Sequence, residues 1–111
     1  MSPGPTLSTH VLDTERGVPA AGVVVELSQA GRSLARAETD ADGRIHDLAG
    51  GALGEGMYQL AFEVAAYFEA LGRPAPFLRR VSIDFHARAA DRHYHVPLLL
   101  SPYACTSYRG S

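Results

Sequence analysis

Residues 92–100, RHYHVPLLL, carry the alternation that decides the fold. Because successive side chains of a β-strand point to opposite faces, every second residue here is predicted to face a core. These core-facing residues are Tyr94, Val96, Leu98 and Leu100. His93 and His95 then lie on the opposite face of the strand, which predicts a polar surface there.

The same period of two occurs at residues 7–13, LSTHVLD. One face carries Thr9, Val11 and Asp13, and the other carries Ser8, His10 and Leu12. This pattern predicts a first strand with His10 on the side opposite to the core. Residues 1–6 contain two prolines and a glycine and predict a flexible lead-in, so that a single domain spans residues 7–111.

Short strands and turns alternate along the rest of the chain. Further strands are predicted over VVVELS, Ser33 to Glu38, Arg44 to Ile45, MYQLAFEV, LRRVSIDF and the segment 101–111. One short helix is predicted over AAYFEALG, at residues 65–72. Seven or eight strands at intervals near ten residues predict an all-β fold, a two-sheet antiparallel sandwich with one short helix.

Composition excludes several functions. The net charge of -2 argues against nucleic acid as a partner, because a polyanion needs a clustered basic face. The absence of Lys excludes Schiff-base chemistry and a phosphate-loop lysine, and the absence of Asn excludes an N-glycosylation acceptor and an Asn oxyanion donor. The single cysteine excludes an internal disulfide. No segment is apolar enough to span a membrane and the N-terminus is unlike a signal peptide, which predicts a soluble, cytoplasmic protein.

The residues alone are compatible with two kinds of site, a zinc site and a metal-free site. His93 and His95 could offer two zinc ligands from one strand face, with a third from His10, His46 or His86. No cluster of carboxylates accompanies them, and a short HxH match is often accidental, so a metal-free site is favoured. Arg44 follows an Asp-Gly turn and is either a solvated charge or a clamp for an anion or carbonyl.

Three segments together resemble one enzyme family. They are LSTHVLD (7–13), TDADGRI (39–45) and HYHVPLLLSPYACTSYRGS (93–111). They are similar to the 5-hydroxyisourate hydrolases, transthyretin-related enzymes of urate catabolism, and the similarity extends from Leu7 to Ser111. The resemblance implies a transthyretin-like sandwich of eight strands in two four-stranded sheets. It also implies a homotetramer, a dimer of dimers whose active sites line a central channel.

Matching motif to motif, the resemblance implies four catalytic residues: His10, Arg44, His95 and Ser111. It implies that Tyr108, Arg109 and Gly110 complete a tetrapeptide that closes the pocket and binds substrate with them. The strands that carry these residues are expected to be neighbours in one sheet whose outer face lines the channel.

The implied reaction is hydrolysis of 5-hydroxyisourate to 2-oxo-4-hydroxy-4-carboxy-5-ureidoimidazoline. A histidine takes a proton from water, Arg44 orients the substrate and stabilises the oxyanion, and Ser111 contributes a hydrogen bond. No cofactor or metal is expected. The alternatives are a transthyretin-like carrier without turnover, which lacks this set of residues, and a zinc hydrolase that uses His93 and His95 with His10.

Overall fold

The computed structural model describes residues 4–111, which contain ten strands and one helix. The strands are β1 (Thr6–Asp13), β2 (Val18–Pro19), β3 (Val24–Gln29), β4 (Arg32–Glu38), β5 (Arg44–Ile45), β6 (Gly56–Phe62), β7 (Val81–Ala87), β8 (His93–His95), β9 (Leu98–Leu100) and β10 (Cys105–Ser107). The helix, α1 (Val64–Ala70), lies between β6 and β7. No helix in this range has the length and hydropathy needed to cross a bilayer.

The strands form two sheets around a shared hydrophobic core. One sheet has the order β10-β9-β1-β2, with β5 and β8 also paired to β1. The other has the order β4-β3-β6-β7 and is antiparallel throughout. The predicted all-β sandwich of two sheets with one short helix is confirmed.

The structure differs from the prediction in strand count and direction. The run 92–100, predicted as one strand, is split into β8 and β9 at Val96 and Pro97, because proline has no N–H to donate to the ladder. Both halves run parallel to β1, so the first sheet is mixed rather than antiparallel. This split and the unpredicted two-residue strand β2 give the described residues ten strands instead of eight.

The start of the chain also differs from the predicted lead-in. Residues 1–3 lie outside the described residues, but Pro5 is buried and its carbonyl accepts a hydrogen bond of 2.7 Å from the N–H of Leu53. The N–H of Thr6 donates to the carbonyl of Arg92 at 3.0 Å, and β1 begins at Thr6 rather than Leu7.

Strand β1 runs through the middle of the first sheet and alternates as predicted. Its buried residues are Leu7, Thr9, Val11 and Asp13, and its half-buried residues point to the outer face. The hydroxyl of Thr9 donates to the carbonyl of Val96 at 2.6 Å, so the polar core residue is satisfied and fixes β1 to the end of β8. Each fully buried leucine or valine contributes about 1.5–3 kcal/mol of burial free energy.

The helix is held against β1 by a buried carboxylate. Burial alone would raise the pKa of Asp13, but hydrogen bonds from Arg73, Tyr67 and the N–H of Arg16 outweigh that effect and lower it. The guanidinium of Arg73 also lies 4.8 Å from the ring centre of Phe68. The ion pair between Arg73 and Asp13 fixes the end of β1, three residues beyond His10.

Candidate active site

Strand β1 brings together residues that are far apart in sequence. His10 pairs directly with Arg44 on β5, and Ser8 pairs with His95 on β8. His95 in turn forms an antiparallel bridge with Gly110. Because directly paired residues present their side chains on the same face of a sheet, these positions share the outer face. The predicted neighbourhood of His10, Arg44, His95 and the YRGS segment is therefore present.

A tight turn holds Arg44 in this position. The carboxylate of Asp40 accepts hydrogen bonds from the N–H groups of Asp42 at 2.9 Å and Arg44 at 3.0 Å. The N–H of Arg44 is the largest cause that lowers the pKa of Asp40. Gly43 adopts a φ of 75°, and a Cβ there would lie 2.4 Å from the carbonyl oxygen of Val11. Only glycine fits this approach, so the turn fixes the register of β5 against β1.

A polar pocket of about 220 Å³ opens on the outer face. It is lined by Ser8, Thr9, Arg44, Ile45, His46, His93, His95 and Ser111. Three of the four predicted catalytic residues thus line one pocket. His10 is the exception, because it lies opposite Arg44 but does not form part of the lining. A second cavity of about 440 Å³ shares His93 and Ser111 with this pocket.

Burial lowers the pKa of His95 below its ordinary value, and the neighbouring His10, His93 and Arg44 lower it further. A lowered pKa favours the neutral imidazole, which is the form that can accept a proton. Its Nδ1 lies 2.8 Å from the hydroxyl oxygen of Ser8. Because Nδ1 has this partner, Nε2 is the ring nitrogen that remains to exchange a proton with a substrate or a water molecule.

The YRGS segment approaches His95 closely. The N–H of Gly110 donates to the carbonyl of His95 at 2.7 Å. A Cβ at position 110 would lie 2.6 Å from Cδ2 of the His95 ring, so only glycine lets the segment pass at this distance. This approach carries Ser111 to the pocket, as the sequence predicted.

Tyr108 and Arg109 line cavities other than the 220 Å³ pocket. Strand β10 ends at Ser107, so the two residues that follow are free of the strand's alternation. Tyr108 is exposed and lines a separate cavity of about 390 Å³. The guanidinium of Arg109 lies 4.4 Å from the ring centre of Tyr94 and donates to the carbonyl of His93 at 3.2 Å. Neither side chain lines the 220 Å³ pocket.

Ser8 is a pocket residue that was not predicted from the sequence, and His46 was considered there only as a possible zinc ligand. Ser8 shares the outer face of β1 with His10, and the period of two that identified His10 was the signal that could have found it. His46 follows β5 directly, and its imidazole lies 3.8 Å from the carboxylate of Asp40. Both add polar groups around the predicted catalytic set.

The histidines considered as zinc ligands do not converge. Both ring nitrogens of His93 lie within hydrogen-bond distance of hydroxyls. Its Nδ1 is 2.6 Å from the hydroxyl oxygen of Thr6, and its Nε2 is 2.8 Å from that of Ser8. His86 lies on β7 in the other sheet. Across residues 4–111 no three His, Cys, Asp or Glu side chains are grouped as a metal site requires.

Comparison with known proteins identifies the family. The model of the HIUase/Transthyretin family matches residues 7–110. This chain therefore belongs to the HIUase/Transthyretin family.

Individual relatives narrow the comparison. A 5-hydroxyisourate hydrolase from Caulobacter vibrioides is 47% identical over 112 residues, covering 95% of this chain and 97% of that protein. The solved structure of the Klebsiella pneumoniae 5-hydroxyisourate hydrolase has a TM-score of 0.90 and 43% identity, covering 96% of this chain and 99% of that one. Sea bream transthyretin in complex with thyroxine has a TM-score of 0.85 and 32% identity, covering 95% of this chain and 94% of that one. Because hydrolase and transthyretin share the fold, the residues of the pocket must distinguish the two activities.

Proposed function

We propose that this chain hydrolyses 5-hydroxyisourate, opening its six-membered ring at an amide bond to give 2-oxo-4-hydroxy-4-carboxy-5-ureidoimidazoline. The observation that carries this proposal is the pocket that Arg44, His95 and Ser111 share, with His10 paired beside Arg44. The names of relatives that match over nearly the whole chain support the same activity.

In the proposed reaction, water attacks the ring carbonyl directly. Nε2 of His95 takes a proton from the water as the new C–O bond forms, and the carbonyl oxygen becomes an oxyanion. Arg44 presents a planar fork of donors to that oxyanion and orients the anionic substrate. The C–N bond then breaks, and the imidazolium returns the proton to the departing nitrogen.

His10 assists His95 in this proposal. It lowers the pKa of His95, so the two imidazoles lie within electrostatic reach of each other. The proposal is direct attack by water rather than a covalent intermediate at Ser8, whose hydroxyl lies 2.8 Å from an imidazole nitrogen of each of His93 and His95.

The YRGS segment is proposed to close the pocket and bind substrate. Ser111 would donate or accept a hydrogen bond at the substrate or the attacking water. Gly110 gives the close approach, and Arg109 holds the segment at the rim through its bond to the carbonyl of His93. Removing residues 108–111 should lower activity while the assembly persists. Full activity of the shortened chain would exclude the segment from the site.

The proposed chemistry uses no cofactor, because protein groups are available for each proton transfer and for the oxyanion. Turnover should therefore be unchanged after treatment with a chelator. Metal analysis of protein purified without a His-tag column provides the second check, and a stoichiometric zinc signal would replace this mechanism with the zinc-hydrolase alternative.

We also propose a homotetramer, a dimer of dimers with the active sites in the channel between dimers. Strands β7 and β10 are sheet edges with unpaired backbone groups, which favour pairing with another copy. The side chains of Phe77 and Tyr103 are 66% and 65% exposed and stack on each other. An exposed apolar patch of this kind favours contact with another protein surface. Light scattering during size-exclusion chromatography measures the mass, and a monomeric mass at assay concentrations would contradict the proposal.

The deciding experiment follows the decay of freshly generated 5-hydroxyisourate in the ultraviolet. The wild-type protein, a His95→Ala variant and buffer alone are compared. Rapid decay with the wild type and near-spontaneous decay with the variant would support both the activity and the role of His95. Decay no faster than in buffer would refute the hydrolase and favour the transthyretin-like carrier.

A further inference from the structure

The hydroxyl of Ser8 lies between two imidazoles on the outer face of the first sheet. Its oxygen is 2.8 Å from Nε2 of His93 and 2.8 Å from Nδ1 of His95. The chain of contacts continues from Nδ1 of His93 to the hydroxyl of Thr6 at 2.6 Å. Four side chains thus form one unbranched series that ends at the imidazole of the proposed base.

The parallel pairing of β1 with β8 produces this series. Thr6 pairs with His93 and Ser8 pairs with His95, so two hydroxyls on one strand face two imidazoles on the other. The N–H of Val96 donates to the carbonyl of Ser8 at 3.0 Å, and the buried hydroxyl of Thr9 donates to the carbonyl of Val96 at 2.6 Å. The backbone on both sides of Ser8 is therefore fixed to β8, which holds the hydroxyl in place.

A count of hydrogens limits what Ser8 can do. A hydroxyl has one hydrogen, so it can donate to at most one of the two imidazoles and must accept from the other. In one direction, Nδ1–H of His95 donates to Ser8, Ser8 donates to Nε2 of His93, and Nδ1–H of His93 donates to Thr6. In the opposite direction every bond is reversed, and the hydrogen of His95 sits on Nε2.

Only the first direction allows His95 to act as a base. There Nε2 carries the lone pair, and when it takes a proton from water the Nδ1–H bond to Ser8 remains intact. In the second direction Nε2 is already protonated in the neutral ring and cannot accept. The selection of one tautomer by a hydrogen bond at the other ring nitrogen is a general requirement for histidine bases.

We propose that Ser8 is a positioning residue that, with His93 and Thr6 behind it, holds His95 in the tautomer whose Nε2 accepts the proton from the attacking water. The inference rests on the proposed hydrolysis and assigns His93 to the support of the base. The proton then passes from Nε2 to the departing ring nitrogen, so Ser8 and His93 end the cycle as they began it.

The test compares Ser8→Ala with Ser8→Thr, which keeps a hydroxyl at the same position. Nitrogen-15 chemical shifts of His95 in the resting protein report the tautomer, and steady-state kinetics report kcat and KM. We expect the wild type and Ser8→Thr to hold the hydrogen on Nδ1. Ser8→Ala should move it toward Nε2 and lower kcat by roughly 10- to 100-fold with little change in KM. Ser33→Ala, at another strand serine that bonds a side chain, should change neither quantity.

The outcomes separate the two proposals. If the wild type turns over substrate and Ser8→Ala keeps both its kcat and its His95 tautomer, the role of Ser8 is refuted while the hydrolase stands. If kcat falls in Ser8→Ala and is equally low in Ser8→Thr, the proposal that the hydroxyl at position 8 sets the His95 tautomer is also refuted. If the wild type has no turnover, the proposed hydrolysis fails and the catalytic role of Ser8 fails with it, whatever the nitrogen shifts show.

Discussion

Replacing Gly110 with alanine should displace the imidazole of His95 and slow turnover by about 100-fold. The backbone of Gly110 does not have a positive φ, so alanine is tolerated there except for the space its Cβ needs. That Cβ would lie 2.6 Å from Cδ2 of the ring, and ordinary contacts begin near 3.4 Å. The ring or the segment must therefore retreat by about 0.8 Å. Misplacement of a catalytic group by about 1 Å costs on the order of 100-fold, or about 2.7 kcal/mol in the barrier.

The ultraviolet decay assay measures kcat and KM of the variant, and thermal unfolding checks that the fold is retained. Gly54→Ala is the matched control, because that backbone also lacks a positive φ and its Cβ would meet only the Tyr58 hydroxyl at 3.7 Å. We expect the control to keep wild-type kcat. A Gly110→Ala variant with kcat within twofold of the wild type would refute the argument that this close approach positions His95.

Three further predictions concern the guanidinium, the histidine and the buried ion pair. Arg44→Lys keeps the charge but loses the planar fork, so kcat/KM should fall by roughly 100-fold, and an unchanged value would contradict the oxyanion role. Burial and the nearby basic residues lower the pKa of His95 below the ordinary histidine value of 6.5. As the pH decreases, kcat/KM should therefore begin to fall only below pH 6.5. A midpoint above pH 6.5 in the profile would contradict this. Arg73→Met leaves the buried carboxylate of Asp13 without its cation and should cost about 3 kcal/mol at pH 7 in urea unfolding, whereas Arg79→Met, at an exposed ion pair, should cost less than about 1 kcal/mol. Since the folded pKa of Asp13 is lowered, its contribution is present above the ordinary value of 3.8 and lost below it, so the wild type should lose stability in that acid range and the variant should lose less.

The faces of the two histidine strands were predictable from sequence. Alternation of apolar residues is a local property, and it placed His10 and His95 opposite the core before any pairing was known. The Asp-Gly turn before Arg44 was predictable for the same reason, since a positive φ at Gly43 depends on four consecutive residues.

The pairing of distant strands was not predictable from these patterns. Nothing in residues 6–13 or 93–100 specifies that the two run parallel, and the contact of Ser8 with both imidazoles depends on that register. The positions of Tyr108 and Arg109 were not predictable from periodicity, which carries no information once the chain leaves its strand at Ser107. The pocket's supporting residues therefore depend on tertiary register. Local patterns give the strand faces of His10 and His95 and the turn before Arg44, whereas the catalytic assignment of these residues and of Ser111 came from the resemblance to a known family.

The central place of β1 between β5 and β8 sets the order in which the molecule can be completed during synthesis. The four-stranded sheet uses residues 24–87 and has all its strands available before β8 is made. About 80 residues separate β1 from its parallel partners, a delay of roughly 4 to 16 s at ordinary translation rates. Through that interval one long edge of β1 stays exposed on the nascent chain, and the pocket is the last part of the domain to form. A ribosome that stalls before residue 93 would release a chain with one finished sheet and no active site.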